Sequence, residues 1–262
     1  MSDAMIGTLI QLFRSGPATP REMFPELPDY ARGLPAVTAS PCQAGGGCQA
    51  CVDACPTKAV VATESGRVTL DLGLCIACGE CVGACPSGTL VEDRRTRVAV
   101  RRRSELIRTN DPSMPPMEPD AEPAGTQFRR SLHVREVSTG DNASDLEAAA
   151  STNPIFDAGR FGIHFVASPR FADALLVTGP VGRAMQEPLR RCFDAMAEPR
   201  IVIAAGASAI SGGLHRSGYA DANGVDAILP ISIYAPGHPP HPWYLLHALL
   251  LAMGHPESAQ RE

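Results

Sequence analysis

From about residue 130 onward, short apolar runs alternate with stretches of helical periodicity. Leu132 to Val137, Phe161 to Val166, Ala174 to Thr178, Arg200 to Ala205 and Ala227 to Ile233 read as strands. Helices are predicted from about Asp145, over Arg183 to Met196, and over Trp243 to Met253. That alternation argues for a parallel sheet flanked by helices. At the other end of the chain, Met5, Ile6, Leu9, Ile10, Leu12 and Phe13 recur at helical spacing until Gly16-Pro17 stops the helix. The proline-punctuated stretch from Pro17 to Pro41 reads as an extended arm laid over a partner surface. The alternative is packing on the chain's own core, since an amphipathic stripe does not name what it covers.

Between these ends the sequence repeats. Cys48-Gln-Ala-Cys51-Val-Asp-Ala-Cys55-Pro56 is matched by Cys78-Gly-Glu-Cys81-Val-Gly-Ala-Cys85-Pro86 at a constant offset of 30. Each copy is followed by a short apolar run, Ala59-Val60-Val61 and Thr89-Leu90-Val91, suited to a small strand. From Thr109 to Gly125 five prolines and few branched apolar residues mark a stiff linker. The predicted organisation is a helix and arm over 1–41, a cysteine-rich unit over 42–108, a linker over 109–127 and an α/β unit over 128–262. Arg94, Arg95, Arg97, Arg101, Arg102 and Arg103 precede the linker and read as a solvated strand edge, with an acidic partner as the alternative.

The cysteines change the picture most. Of nine, eight fall between Cys42 and Cys85. Such density makes a disulfide framework only in a small secreted domain. Here Asp3 stands where a signal peptide wants positive charge, so the compartment is read as reducing and cytoplasmic. Clustered thiols then point to metal. A four-iron cluster needs four thiolates around a cube: a tight Cys-x2-Cys-x2-Cys turn supplies three, and a distant Cys-Pro supplies the fourth, commonly for the other cluster. The second copy fits throughout, as Cys75, Cys78, Cys81 and then Cys85-Pro86. In the crossed scheme Cys75, Cys78, Cys81 and Cys55 hold one [4Fe-4S] cluster, and Cys42, Cys48, Cys51 and Cys85 hold the other. The first copy departs at position 45, where glycine replaces the expected cysteine. Cys42, beyond Gly45-Gly46-Gly47, takes that role through a glycine detour; failing that, the cluster is a three-iron form or takes an outside ligand. Paired zinc sites are the bland alternative, but they need neither interleaved triplets nor Cys-Pro.

This unit resembles the bacterial two-cluster ferredoxins and, with its arm, the ferredoxin-like subunits of complex I and membrane hydrogenases. The C-terminal half resembles a second family, on Arg160-Phe161-Gly162-Ile163-His164-Phe165-Val166-Ala167-Ser168-Pro169-Arg170, Ala172 to Val181, Glu187-Pro188-Leu189, Glu198-Pro199, Gly224-Val225-Asp226 and Tyr234-Ala235-Pro236-Gly237-His238-Pro239-Pro240. These segments are similar to the complex I small subunit that carries the last cluster before quinone, and to the small subunits of energy-converting nickel–iron hydrogenases and formate hydrogenlyase. The resemblance implies an α+β ferredoxin-like domain followed by an α/β doubly wound, flavodoxin-like domain. It also implies a third cluster held by four cysteines. At those positions this chain has Asp141, Ser144, Ser208 and His238, none a thiolate. The remaining Cys192 reads as a small core residue, and His238, His241 and His247 as surface or interface histidines. No cluster is therefore expected in the C-terminal half.

Composition narrows the classes further. A net charge of −5 excludes a surface that tracks nucleic acid. The longest apolar stretch, Trp243 to Met253, falls short of the ~20 residues of a membrane span. The expected function is electron transfer in a membrane-associated complex, peripheral at the inner face through membrane subunits and a large hydrogenase- or complex I-type partner. The alternatives are a non-catalytic scaffold of a hydrogenase-like assembly working in ion transport or regulation, and a free ferredoxin with a ligand-binding domain.

Overall fold

The computed structural model describes residues 3–16, 22–111, 126–140 and 143–258. Asp141 and most of the proline-rich linker lie outside them.

The cysteine-rich half is built on the repeat. Helical turns α2 (Ala50–Asp53) and α3 (Glu80–Gly83) occupy equivalent positions in the two copies, and each is followed by a strand, β2 (Val60–Ala62) and β4 (Leu90–Asp93). Strand β1 (Leu34–Val37) pairs antiparallel with β4, while β3 (Val68–Asp71) pairs antiparallel with both β2 and β5 (Ile107–Thr109). The apolar positions Val60, Val68, Leu70, Leu90 and Leu106 are buried between these layers.

The arm behaves differently from the expectation of a partner-covering segment. Phe24, Leu27 and Leu34 are buried in this chain's own core, and Phe24 packs edge-on against Trp243 and His247. Leu27 N–H donates to the carbonyl of Arg94 at 2.9 Å, so the arm runs as a strap beside β4. Helix α1 (Asp3–Ser15) precedes it, with Ile6, Ile10, Leu12 and Phe13 exposed.

In the C-terminal half, β6 (Leu132–Ser138), β7 (Ile163–Phe165), β8 (Ala174–Thr178), β9 (Ile201–Ala205) and β10 (Ile233–Ala235) form one parallel sheet in the order β10-β9-β8-β6-β7. Strands β8, apolar up to Thr178, and β9 are buried along their whole length, as central strands covered on both faces must be. Helices α4 (Ser144–Ala150), α5 (Gln186–Asp194), α6 (Gly206–Ser211) and α7 (Pro242–Met253) fill the connections and the end. Helix α7 is hydrophobic almost all round and is accordingly buried. The strand expected over Ala227 to Ile233 is displaced: residues 226–228 form a turn, and pairing begins only at Ile233, beyond Pro230, which has no N–H for a ladder. Cys192 lies in α5, packed against the core.

The two halves are joined by hydrogen bonds. Val100 and Tyr234 exchange backbone bonds of 3.0 and 2.8 Å, and Ser211 Oγ donates to the Gly73 carbonyl at 2.7 Å. Of the arginines before the linker, Arg97, Arg101 and Arg103 serve this junction and its flanks, whereas Arg95 and Arg102 are exposed as a solvated edge would have them. Arg103 grips Asp71 bidentately at 2.8 and 2.6 Å, Arg101 donates to the Leu251 carbonyl at 2.8 Å, and Arg97 lies 5.0 Å over the Phe24 ring. Arg94 pairs with Asp29, Arg95 with Asp93 and Arg102 with Glu105.

Candidate iron–sulfur sites and the altered ligand crevice

All eight clustered cysteines are free thiols, and they sort into two sets. Burial raises the Cys51 thiol first; the thiol charges of Cys85, Cys42 and Cys48 raise it further. Cys51 therefore shares a site with its two sequence neighbours and with the distant Cys85 of the other copy. Burial pushes Cys75 up to about 12, with Cys81, Cys55 and Cys78 adding to the rise, and Cys81 up to about 11, with Cys55 and Cys78 as its strongest thiol neighbours. Cys81 also feels Cys51, so the two sets adjoin. Each Cys-Pro thiol thus lies near the triplet of the other copy: Cys85 beside Cys51, and Cys55 beside Cys75 and Cys81.

The local backbone explains this placement. In each copy the last cysteine of the triplet lies in a helical turn, α2 or α3, which buries Cys51 and Cys81. The detour before Cys48 is a 3-10 turn over Gln43–Gly46, begun by Cys42, whose Sγ accepts Ala44 N–H at 3.4 Å, and closed by Gly47 at φ +88°. Gly47 holds a left-handed conformation that glycine adopts without steric cost. Backbone N–H groups aim at further sulfurs: Ala59 at Cys55 (3.2 Å) and Ala77 at Cys75 (3.3 Å). Burial pushes the Cys85 thiol up, but donors from Leu90, Ser87 and Thr89 outweigh it and leave its pKa lowered. Such donors stabilise thiolate sulfur and tune the potential of a cluster. Four mutually repelling thiols without a cation are unfavourable as thiolates, and a metal core reverses that sign. Among the described residues no three His, Cys, Asp or Glu side chains converge tightly enough for a single metal ion. Two sets of four thiols, each completed by a Cys-Pro cysteine, fit four-iron clusters, whose ligands are thiolates.

The second crevice lies at the carboxyl ends of the parallel strands, where open α/β sheets gather their loops. Ser144 opens α4 after β6, Ser208 sits in the first turn of α6 after β9, and His238 follows β10. The three loops meet at Gly206: a Cβ there would stand 3.1 Å from Ser144 Oγ and 3.2 Å from the Gly237 carbonyl. Ala207 N–H donates to that carbonyl at 2.8 Å, and Ser208 Oγ hydrogen-bonds His238 Nδ1 at 3.2 Å. Both serines are buried, and His238 has its pKa lowered by burial and by neighbouring His215. The structure thus brings together Ser144, Ser208 and His238 as their alignment predicts. Sequence reasoning did not flag His215, whose signal was its place four residues after the Ser211 end of α6. A hydroxyl pair and an imidazole already bonded to one of them do not fit a cubane, which takes thiolates.

The other two histidines correct the surface expectation. His247 is only 1% exposed; its Nδ1 accepts Ala99 N–H at 3.0 Å and its Nε2 bonds the Ser258 carbonyl at 3.1 Å. His241 caps α7, its Nδ1 accepting Trp243 N–H at 3.2 Å. Both are structural.

Two family models match the chain. Residues 42–89 match the 4Fe-4S dicluster domain, and residues 142–252 match the family described as NADH ubiquinone oxidoreductase, 20 Kd subunit. The chain is 42% identical over 129 residues to formate hydrogenlyase subunit 7 of Escherichia coli, covering 49% of this chain and 51% of that protein. It is 47% identical over 106 residues to an NADH-quinone oxidoreductase subunit of Mycobacterium ulcerans, covering 40% of this chain and 57% of that one. An uncharacterized protein of Methanocaldococcus jannaschii is 41% identical over 123 residues, 47% of this chain and 82% of its own. The chain thus spans little more than half the length of the two characterised relatives. Among solved structures, the membrane-bound sulfane sulfur reductase, an archaeal respiratory membrane complex, overlaps 48% of this chain and 72% of its own at 25% identity and a TM-score of 0.43. With its crossed thiol sets placed ahead of a parallel-sheet domain, the chain carries a 4Fe-4S dicluster domain and belongs to the family of the NADH ubiquinone oxidoreductase 20 Kd subunit.

Proposed function

We propose that this protein is an electron-transfer subunit of a membrane-associated complex related to NADH:quinone oxidoreductase and formate hydrogenlyase. Two [4Fe-4S] clusters would be held by Cys42, Cys48, Cys51 and Cys85, and by Cys75, Cys78, Cys81 and Cys55. Bound there, they supply one-electron transfer and no bond chemistry. The observation that carries this reading is the crossed sorting of the eight thiols, which puts Cys51 of one set within charge reach of Cys81 of the other. The chain's own residues bury Cys75 and Cys81 from water and point N–H groups at the sulfurs.

The C-terminal half is read as a doubly wound, flavodoxin-like domain that docks a large partner subunit and binds no cluster. Its strand order β7-β6-β8-β9-β10 supports the first part, being the 2-1-3-4-5 order of that class. The Ser208–His238 bond supports the last, since two of the positions that the resemblance aligns with ligands are bonded to each other. That bond also favours a second reading, a scaffold of a hydrogenase-like assembly whose relay stops at the Cys75 set. No helix among the described residues is long and apolar enough to cross a membrane, so membrane association is assigned to partner subunits. Isolation of the protein from detergent-solubilised membranes of its host tests the assignment. A large hydrogenase- or complex I-type subunit should accompany it, and its visible absorbance should bleach on reduction. Isolation alone, without membrane subunits, would favour a free ferredoxin. A partner that lacks its metal-binding cysteines would favour the scaffold.

A further inference from the structure

We propose that His133 and His164, backed by Asp173, form a surface site for a borderline divalent cation such as Zn²⁺ or Ni²⁺. The two histidines are directly opposite each other on the adjacent parallel strands β6 and β7, in register His133↔His164. Opposed residues on paired strands project from the same face. Their ring centroids are 5.8 Å apart, a span that metal–nitrogen bonds of ~2.0–2.1 Å can bridge after a small rotation of the rings. Strand β7 is the edge of the sheet, His164 is exposed and His133 about half exposed, so an ion reaches both from solvent.

Asp173 makes the pair more than two adjacent rings. Its Oδ2 accepts the backbone N–H of His133 at 2.8 Å and stands 3.3 Å from His133 Nδ1. Its own backbone is fixed by bonds to the His133 carbonyl (2.8 Å) and from Ile201 N–H (3.1 Å). A carboxylate 3.3 Å from one ring nitrogen leaves Nε2 as the ligand atom, the arrangement by which metal-binding histidines are oriented. Imidazole suits Zn²⁺ and Ni²⁺, whereas Mg²⁺ and Ca²⁺ prefer oxygen. No three candidate side chains among the described residues already converge, so the protein supplies two ligands and water completes the shell. The site lies near the amino ends of its strands, at the opposite edge of the sheet from the Ser208–His238 crevice.

Titration of untagged, cluster-loaded protein with Ni²⁺ alone, followed by calorimetry under anaerobic conditions, tests the proposal. One equivalent should bind, and His133→Asn or His164→Asn should each weaken binding at least tenfold. Asp173→Asn keeps the acceptor for His133 N–H but not the charge, and should weaken binding by about tenfold or more. His215→Asn should leave it unchanged. Absence of Ni²⁺ uptake, uptake that survives both His133→Asn and His164→Asn, or loss confined to His215→Asn would overturn the assignment.

Discussion

Ser211 Oγ donates a 2.7 Å hydrogen bond to the carbonyl of Gly73, tying α6 to the segment two residues before Cys75. Ser211 is one helical turn beyond Ser208, so this bond links the segment before Cys75 to the helix that carries the Ser208–His238 crevice. It is buried, and its removal leaves the Gly73 carbonyl without that donor. Ser211→Ala should cost about 1–3 kcal/mol, read as an earlier midpoint in chemical denaturation of the cluster-loaded protein. An unchanged midpoint would mean that the junction is held elsewhere.

His247 predicts an acid-sensitive junction. Burial lowers its pKa to about 4 from an ordinary 6.5, and the nearby Arg97 charge helps, against the Ser258 carbonyl. With Ala99 N–H aimed at Nδ1, the neutral ring is the form that fits. The unfolded chain takes up this proton near pH 6.5 and the folded one only near pH 4. Its stabilisation is thus complete above pH 6.5 and is lost as pH falls through that window, on the order of 3 kcal/mol in all. His247→Gln should flatten the pH dependence of stability between pH 6.5 and 4 relative to wild type. Parallel profiles would sink the assignment.

Thiol reactivity in cluster-free protein should follow burial. Alkylation at pH 8, mapped by mass spectrometry, should label Cys85 early, because its pKa is lowered. Cys75 and Cys81, pushed up to about 12 and about 11, should label last. Equal rates at Cys75 and Cys85 would show that the thiol environments differ from those described.

The two ligand classes should respond oppositely to substitution. Cys78→Ser or Cys81→Ser should remove about half the iron and the corresponding visible absorbance. Ser208→Ala should leave both intact, with a stability loss of about 1 kcal/mol from its bond to His238.

Much of this was legible in the sequence because thiol chemistry tolerates little variation in spacing. The offset between Cys48 and Cys78 places α2 and α3 as equivalent turns, and the unbroken apolar runs Ala174 to Val177 and Ile201 to Ala205 are buried strands. What escaped depends on tertiary partners. Phe24 and Leu27 lie among prolines and prolines suggest an arm, but only Trp243, far along the chain, decides which surface the arm covers. Arg94, Arg101 and Arg103 read as solvated because their partners Asp29, the Leu251 carbonyl and Asp71 are distant in sequence. His247 had a usable signal: a lone histidine inside an otherwise apolar helix is a buried one.

Iron quantitation with electron paramagnetic resonance of the anaerobically prepared, reduced protein bears most directly on the division of labour between the two halves. Two interacting four-iron centres and about eight irons per chain are the predicted result. A content near about twelve irons, with a third centre abolished by His238→Ala, would contradict it, as would iron-free protein in which the Cys75 set binds nothing.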